Sequence, residues 1–174
     1  ETEIYAKAVD GAGNSSSCPN IFTYIEDSEA PAPIAWLAML RGPDYGAFEY
    51  EQFVGTTESV ALHANDNIPH IFARFLGERP VISIYGDDES CGQGSLIGSA
   101  DSSIYDWYDA GDEDGDSVSE LYGIAYVDLY FEDDTTTQLF YNLLDGAGNL
   151  SDCMSLDPTG LPAFYVEDST PPAA

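Results

Sequence analysis

One phrase occurs twice in this chain, and nothing else in it restricts the fold so strongly. "DGAGNSSSC" runs from Asp10 to Cys18, and "DGAGNLSDC" from Asp145 to Cys153. The offset is 145 − 10 = 135 residues, and at that offset "ETEIYAKAVDGAGNSSSC" overlies "TTQLFYNLLDGAGNLSDC" without a gap. Ile4 then faces Leu139, Ala6 faces Tyr141, Ala8 faces Leu143 and Cys18 faces Cys153. Downstream, "IFTYIEDSEAPAP" overlies "PAFYVEDSTPPAA" after a short insertion around Pro158 to Leu161. A strand, a turn, a cysteine, a second strand and a proline-rich exit recur in order. Self-similarity at a fixed period marks a repeat array. At 174 residues the chain is the size of one domain, or one domain plus a fragment. It reads as the closing strands of one unit, residues 1–32, followed by one complete unit, residues 33–174.

The boundaries agree with this division. "EDSEAPAP" and "EDSTPPAA" combine acidic, Ser and Pro residues with few apolar ones. Proline favours extended backbone and donates nothing to a sheet ladder, so both read as short, fairly stiff linkers, with the boundary near Pro33. In "DGAGN" the Asp side chain is suited to cap a turn, and Gly and Asn tolerate positive φ. The Asn-x-Ser sites at Asn14 and Asn149 coincide with this phrase and are read as turn chemistry.

Within the complete unit the periodicity is that of strands. Ile71, Ala73 and Phe75 alternate with His70, Phe72 and Arg74, and Ile82 and Ile84 share a face in "VISIY". In "IAYVDLYFE" the inner set is Ala125, Val127, Leu129 and Phe131, and "QLFYNLL" and "AFYVE" complete the series. Turn formers fill the gaps. "PIAWLAML" reads as an opening strand or a short helix. Many short strands with no interposed helix pattern predict an all-β, antiparallel β-sandwich. The 44% apolar and 13% aromatic shares are enough to give it a core.

The segment "NDNIPHIFARFLGERPVISIYGDDESCGQGSLIGSA", followed by "TTTQLFYNLLDGAGNLSDC" and "VEDSTPP", resembles the bacterial Ig-like repeat of large surface proteins and adhesins. The nearest subtype has cysteines in the Ser-Cys loop and after Ala-Gly-Asn. The resemblance covers roughly residues 59–174, and 1–32 as a partial copy. It implies an Ig-like tandem unit, an extracellular setting on a bacterial or archaeal surface, and a Cys91–Cys153 disulfide. Closing a loop of that length contributes about 4 kcal/mol in chain-entropy terms. Cys18, the counterpart of Cys153, then has its partner outside the complete domain, which accounts for the odd count of three cysteines. Three free thiols are the alternative; disulfides would place the chain outside the cytoplasm. Two stretches depart from the family. Ile34 to Glu58 is longer than a simple repeat requires and is read as an extra hairpin, and residues 101–122 form a long acidic insertion.

Charge narrows the partners. With 32 acidic and 4 basic residues the net charge is −28, which repels phosphate backbones and anionic lipid heads and argues against nucleic-acid or membrane-surface binding. No apolar run approaches the roughly 20 residues of a membrane span. Glu1 opens directly into strand-like sequence, which predicts a mature or excised piece with no signal peptide. The acidity suits high external salt, a non-sticking surface or bound divalent cations.

Asp112, Asp114, Asp116 and Glu120 are the best candidate ligands for Ca²⁺, because alternate carboxylates around Gly115 can converge their oxygens. The stretch fails the EF-hand pattern, since Ala110 and Leu121 would fill its first and last ligand positions, and a solvated acidic loop is the competing reading. Asp87, Asp88 and Glu89 form a second, weaker candidate. Catalysis finds no motif: His63 and His70 sit in no nucleophile or zinc pattern, and "GSLIG" lacks the nucleophile-elbow spacing. The chain is read as a non-enzyme with no required cofactor.

Three roles follow. The first is a structural or adhesive repeat in a long surface adhesin or filament, with neighbouring repeats as its partners. The second is a tip that binds a surface glycan or protein through the 101–122 insertion, flanked by Tyr105, Trp107, Tyr108 and Tyr122. The third is a fibre of identical subunits in which residues 1–32 act as a donated hairpin.

Overall fold

Alternation translates directly into burial. On β6 (His70–Leu76) Ile71, Ala73 and Phe75 are buried, and on β7 (Val81–Gly86) Ile82 and Ile84 are buried, while the residues between face outward. On β10 (Leu121–Asp128) Ala125 and Val127 point inward, and Leu129 carries that face past the strand's end. β11 (Thr136–Leu144) adds Leu139, Tyr141 and Leu143, and β13 (Ala163–Glu167) adds Ala163 and Tyr165. These residues form a single apolar cluster that also includes Ile34 and Leu156.

The computed structural model describes residues 1–34, 36–40, 50–52, 60–64, 66–76, 80–102, 108–109, 121–157 and 161–170. The described residues contain no α-helix. Their remaining strands are β1 (Thr2–Tyr5), β2 (Asn20–Tyr24), β3 (Trp36–Leu40), β4 (Tyr50–Gln52), β5 (Val60–Ala64), β8 (Leu96–Asp101), β9 (Tyr108–Asp109) and β12 (Met154–Ser155). The body is a sandwich of two sheets. One has the order β4-β3-β6-β10-β9; the other runs β5-β13-β11-β7-β8, with β12 also paired to β11. Of "PIAWLAML", Trp36–Leu40 form strand β3, which pairs with β4 as a hairpin within the long stretch after Ile34.

One pairing departs from the antiparallel expectation. β5 runs parallel to β13, with Val60 opposite Ala163 and Ala64 opposite Glu167. About a hundred residues separate these strands, so no tight turn ties them, and β5 can lie along the free edge of β13 in either direction.

β8 approaches the opposite sheet tightly at Gly98. A Cβ on Gly98 would sit 2.5 Å from the Asp128 carbonyl oxygen and 2.7 Å from Leu129 Cδ2, so only glycine permits that approach.

β1 and β2 stand apart from this body as a two-stranded sheet of their own. Ile4 is half-buried and every other residue of the pair is exposed.

Candidate functional site

The residues that carry the repeat build the same object twice. In the first copy Asp10 Oδ1 accepts the amides of Ala12 (2.9 Å) and Asn14 (2.8 Å), while Asn14 Nδ2 donates to Asp10 Oδ2 (2.9 Å). In the second, Asp145 Oδ1 accepts Ala147 N and Asn149 N, and Asn149 Nδ2 donates to Asp145 Oδ2, each at 2.8 Å. Gly13 and Gly148 take φ of 88° and 94°, the left-handed region that the phrase supplies glycine for. Ser16 Oγ accepts Ala8 N and Ser151 Oγ accepts Leu143 N, closing both turns alike.

The strands agree as well as the turns. β1 pairs Thr2 with Tyr24, Glu3 with Thr23 and Ile4 with Phe22. β11 pairs Thr137 with Tyr165, Gln138 with Phe164 and Leu139 with Ala163. These are the same three pairs under the sequence alignment. What differs is the cover. Leu139, Tyr141, Leu143, Ala163 and Tyr165 are in the core, whereas Phe22 is 54% and Tyr24 50% exposed, with Ala6 and Ala8 also open.

Local hydrogen bonds set the acidity of the turn carboxylates. The Asn14 side chain, then backbone amides, hold Asp10 below the usual carboxylate range. Desolvation pushes Asp145 up, but the donors on Asn149, Ala147 and Gly148 together outweigh it and leave that carboxyl lowered too.

A disulfide pins the second copy to the body. Cys91 and Cys153 are bonded, with Cα atoms 5.7 Å apart across 62 residues of sequence. Cys91 lies in the β7–β8 loop at φ 52°. Asp88 organises that loop: its Oδ1 accepts Ser90 N and Oγ, and its Oδ2 accepts Gly92 N (2.8 Å) and Ser95 Oγ (2.7 Å). The Ser90 and Ser95 hydroxyls, with two amides, hold its carboxyl far below the usual range. Asp87 Oδ1 accepts Gln138 N, so both aspartates are engaged in holding loop and strand. Cys18, at the position of Cys153, is exposed and unpaired.

The two linkers attach near opposite ends of β11. On the incoming side Asn149 Nδ2 donates to Asp27 O (3.3 Å), and Ile34 N donates to the buried Tyr141 hydroxyl (3.4 Å). Burial raises the pKa of that phenol above its ordinary value, against the smaller effect of the Ile34 amide. On the outgoing side Asp134 Oδ1 accepts Ser169 N and Thr170 Oγ1, and Glu167 Oε2 accepts Asp134 N. Asp134 and Asn149 bracket β11, whose nine residues span about 27 Å at strand rise.

Asp112, Asp114, Asp116 and Glu120, with Tyr105 and Trp107, lie outside the described residues. Tyr108 falls on β9 and Tyr122 on β10. Among the described residues no cluster of three or more His, Cys, Asp or Glu side chains is close enough to hold a metal ion. His63 lies on β5, and His70 Nδ1 pairs with Asp128 Oδ1 at 2.5 Å across β6 and β10. An open cleft of about 270 Å³ beside Gly86, Leu96, Tyr130 and Thr137 has two carboxylates among the described residues of its lining, Asp87 and Glu132, and among those residues no histidine, cysteine, lysine or arginine. No helix of the described residues is long and apolar enough to cross a membrane. Comparisons with protein-family models, with curated proteins and with solved structures found no match.

Proposed function

We propose that residues 33–174 are one Ig-like unit of an extracellular array, and that the unit works as a stiff spacer in a long surface adhesin or filament. The observation that carries this reading is the shared register of β1–β2 and β11–β13, which supports taking residues 1–26 as the closing hairpin of a preceding unit. The strand order supports the Ig-like assignment. β3-β6-β10-β9 facing β7-β11-β13 fits the ABED and CFG sheets of that architecture, with β4, β5 and β8 as extra edges. Stiffness has three sources: proline linkers, the loop-to-loop disulfide, and linker attachments at opposite ends of β11 that would stack units end to end. The net charge of −28 keeps neighbouring arrays apart and soluble. A disulfide fits an oxidising compartment.

The test is labelling of intact, unpermeabilised cells with antibody raised against residues 33–174, combined with electron microscopy of the shed protein. Surface label and beaded rods are expected. Label appearing only after permeabilisation would overturn the role.

A further inference from the structure

We propose that residues 1–26 are seated in a sister sandwich module upstream in the same polypeptide, with a core unlike that of residues 33–174, and not in a second copy of this chain. The inference rests on reading those residues as a closing hairpin, and it names their partner.

The register defines the seat. β11 is held on one side by β7, from Leu139 opposite Gly86 to Leu144 opposite Val81, and β13 is held by β5. A hairpin in the same register needs a β7-like strand beside β1, a β5-like strand beside β2 and an apolar sheet beneath. In this chain that seat is filled by β11 and β13 themselves. Another copy offers no vacancy unless its own closing hairpin leaves.

Side-chain sizes argue against such an exchange. Ala6 and Ala8 stand where the seat of this chain holds Tyr141 and Leu143, and Phe22 stands where it holds fully buried Ala163. Seated here, residues 1–26 would leave two voids and force one large ring into a space sized for a methyl group. The Tyr141 hydroxyl that accepts Ile34 N would be lost as well. The fitting module therefore carries larger side chains facing Ala6 and Ala8, and a small one facing Phe22.

Two covalent features complete the description. β10 feeds β11 through residues 129–135, so the matching connection would run into β1 from residues ahead of Glu1. Cys18 occupies the place of Cys153, so its partner is a loop cysteine placed like Cys91, and Cys91 is itself engaged.

Protein isolated from its source without reductant, alkylated, digested and mapped by mass spectrometry decides the matter. The expected result is Cys18 bonded to a cysteine peptide outside residues 1–174, with reduction adding only the two hydrogens of each disulfide and releasing no second chain. A free Cys18, a Cys18–Cys91 or Cys18–Cys18 bond, or a mass that falls on reduction would overturn it. A second arm refolds the 174-residue chain at high concentration in glutathione buffer. Cys91–Cys153 should re-form with Cys18 free, whereas oligomers linked through Cys18 and Cys91 would restore self-donation. Cell-surface labelling bears on the spacer role alone, because disulfide mapping reads the seat wherever the array resides.

Discussion

Residues 1–26 and 136–167 are built to one plan, and only one of them is covered. Both have the Asp-capped turn, the left-handed glycine, the serine clamp and the same strand pairs. Around the second, β5, β7 and the opposite sheet bury Leu139, Leu143 and Tyr165 completely; around the first, Phe22 and Tyr24 face outward. The difference separates two causes that usually act together. Local sequence chemistry makes the hairpin, and burial makes it contribute to a core. Two isolated strands are marginal without a packed face. Substitutions at matched positions should therefore have unequal effects.

The largest contrast is expected at the cysteines. Replacing both Cys91 and Cys153 by Ala should cost the body about 4 kcal/mol, since the bond closes 62 residues of chain. Cys18→Ser in the 174-residue chain should leave the guanidinium midpoint in place, because that thiol is exposed and unpaired. Denaturation followed by circular dichroism compares the two, and similar losses would mean that Cys18 is engaged after all.

Core truncation comes next. Leu139→Ala should destabilise by about 3 kcal/mol, as usual for a buried leucine, while the matched Ile4→Ala should change stability by less than about 0.5 kcal/mol. A comparable loss from Ile4→Ala would place β1 in a core within this chain and end the contrast.

How far these distinctions could be read from sequence depends on the interaction. The hairpins were legible because turn chemistry is local: Asp, Gly and Asn at fixed spacing state the backbone conformation outright. The inner faces of β6, β7 and β10 were legible from their alternation, and so was the extra hairpin at β3 and β4, from surplus length. The parallel pairing of β5 with β13 was not, because strands so far apart share no turn signal. Nor was the work of Asp88. Among 32 acidic residues its carboxylate reads only as part of a weaker cation-site candidate, and it is the folded loop that brings four donors from Ser90, Gly92 and Ser95 onto it. The glycine contact at Gly98 is likewise a product of sheet-on-sheet approach that no local pattern announces.

Backbone strain gives a smaller, cleaner contrast. A Cβ at Gly13 or Gly148 would meet no atom within 4 Å, so alanine at either adds only the cost of holding an L-residue at positive φ. That cost is about 1–2 kcal/mol. Gly148→Ala should lower the body's unfolding midpoint accordingly. Gly13→Ala should leave it unmoved and instead speed amide exchange in β1 and β2. If Gly13→Ala shifts the midpoint as far as Gly148→Ala, the two hairpins unfold as one cooperative unit and are not energetically separate.

Acid should produce the smallest and most selective effect. Asp145 and Asp88 are both held below the ordinary aspartate range in the folded state. A carboxylate with a depressed folded-state value adds stability above its unfolded value, near 4, and that stability disappears as pH falls toward the folded value. The body should accordingly melt at lower temperature at pH 3 than at pH 5. Asp145→Asn keeps an oxygen for the two turn amides but does not titrate, so it should shrink the difference between the two pH values. Asp88 contributes to the difference that remains. Asp10 is depressed by the same kind of turn, yet its hairpin is not part of the body's core, so Asp10→Asn should leave the difference unchanged. Differential scanning calorimetry of the three proteins at the two pH values reads the result directly. Equal shrinkage from both asparagine variants would show that protonating Asp10 is felt across the linker, and the hairpins would then differ in exposure without differing in energetic coupling.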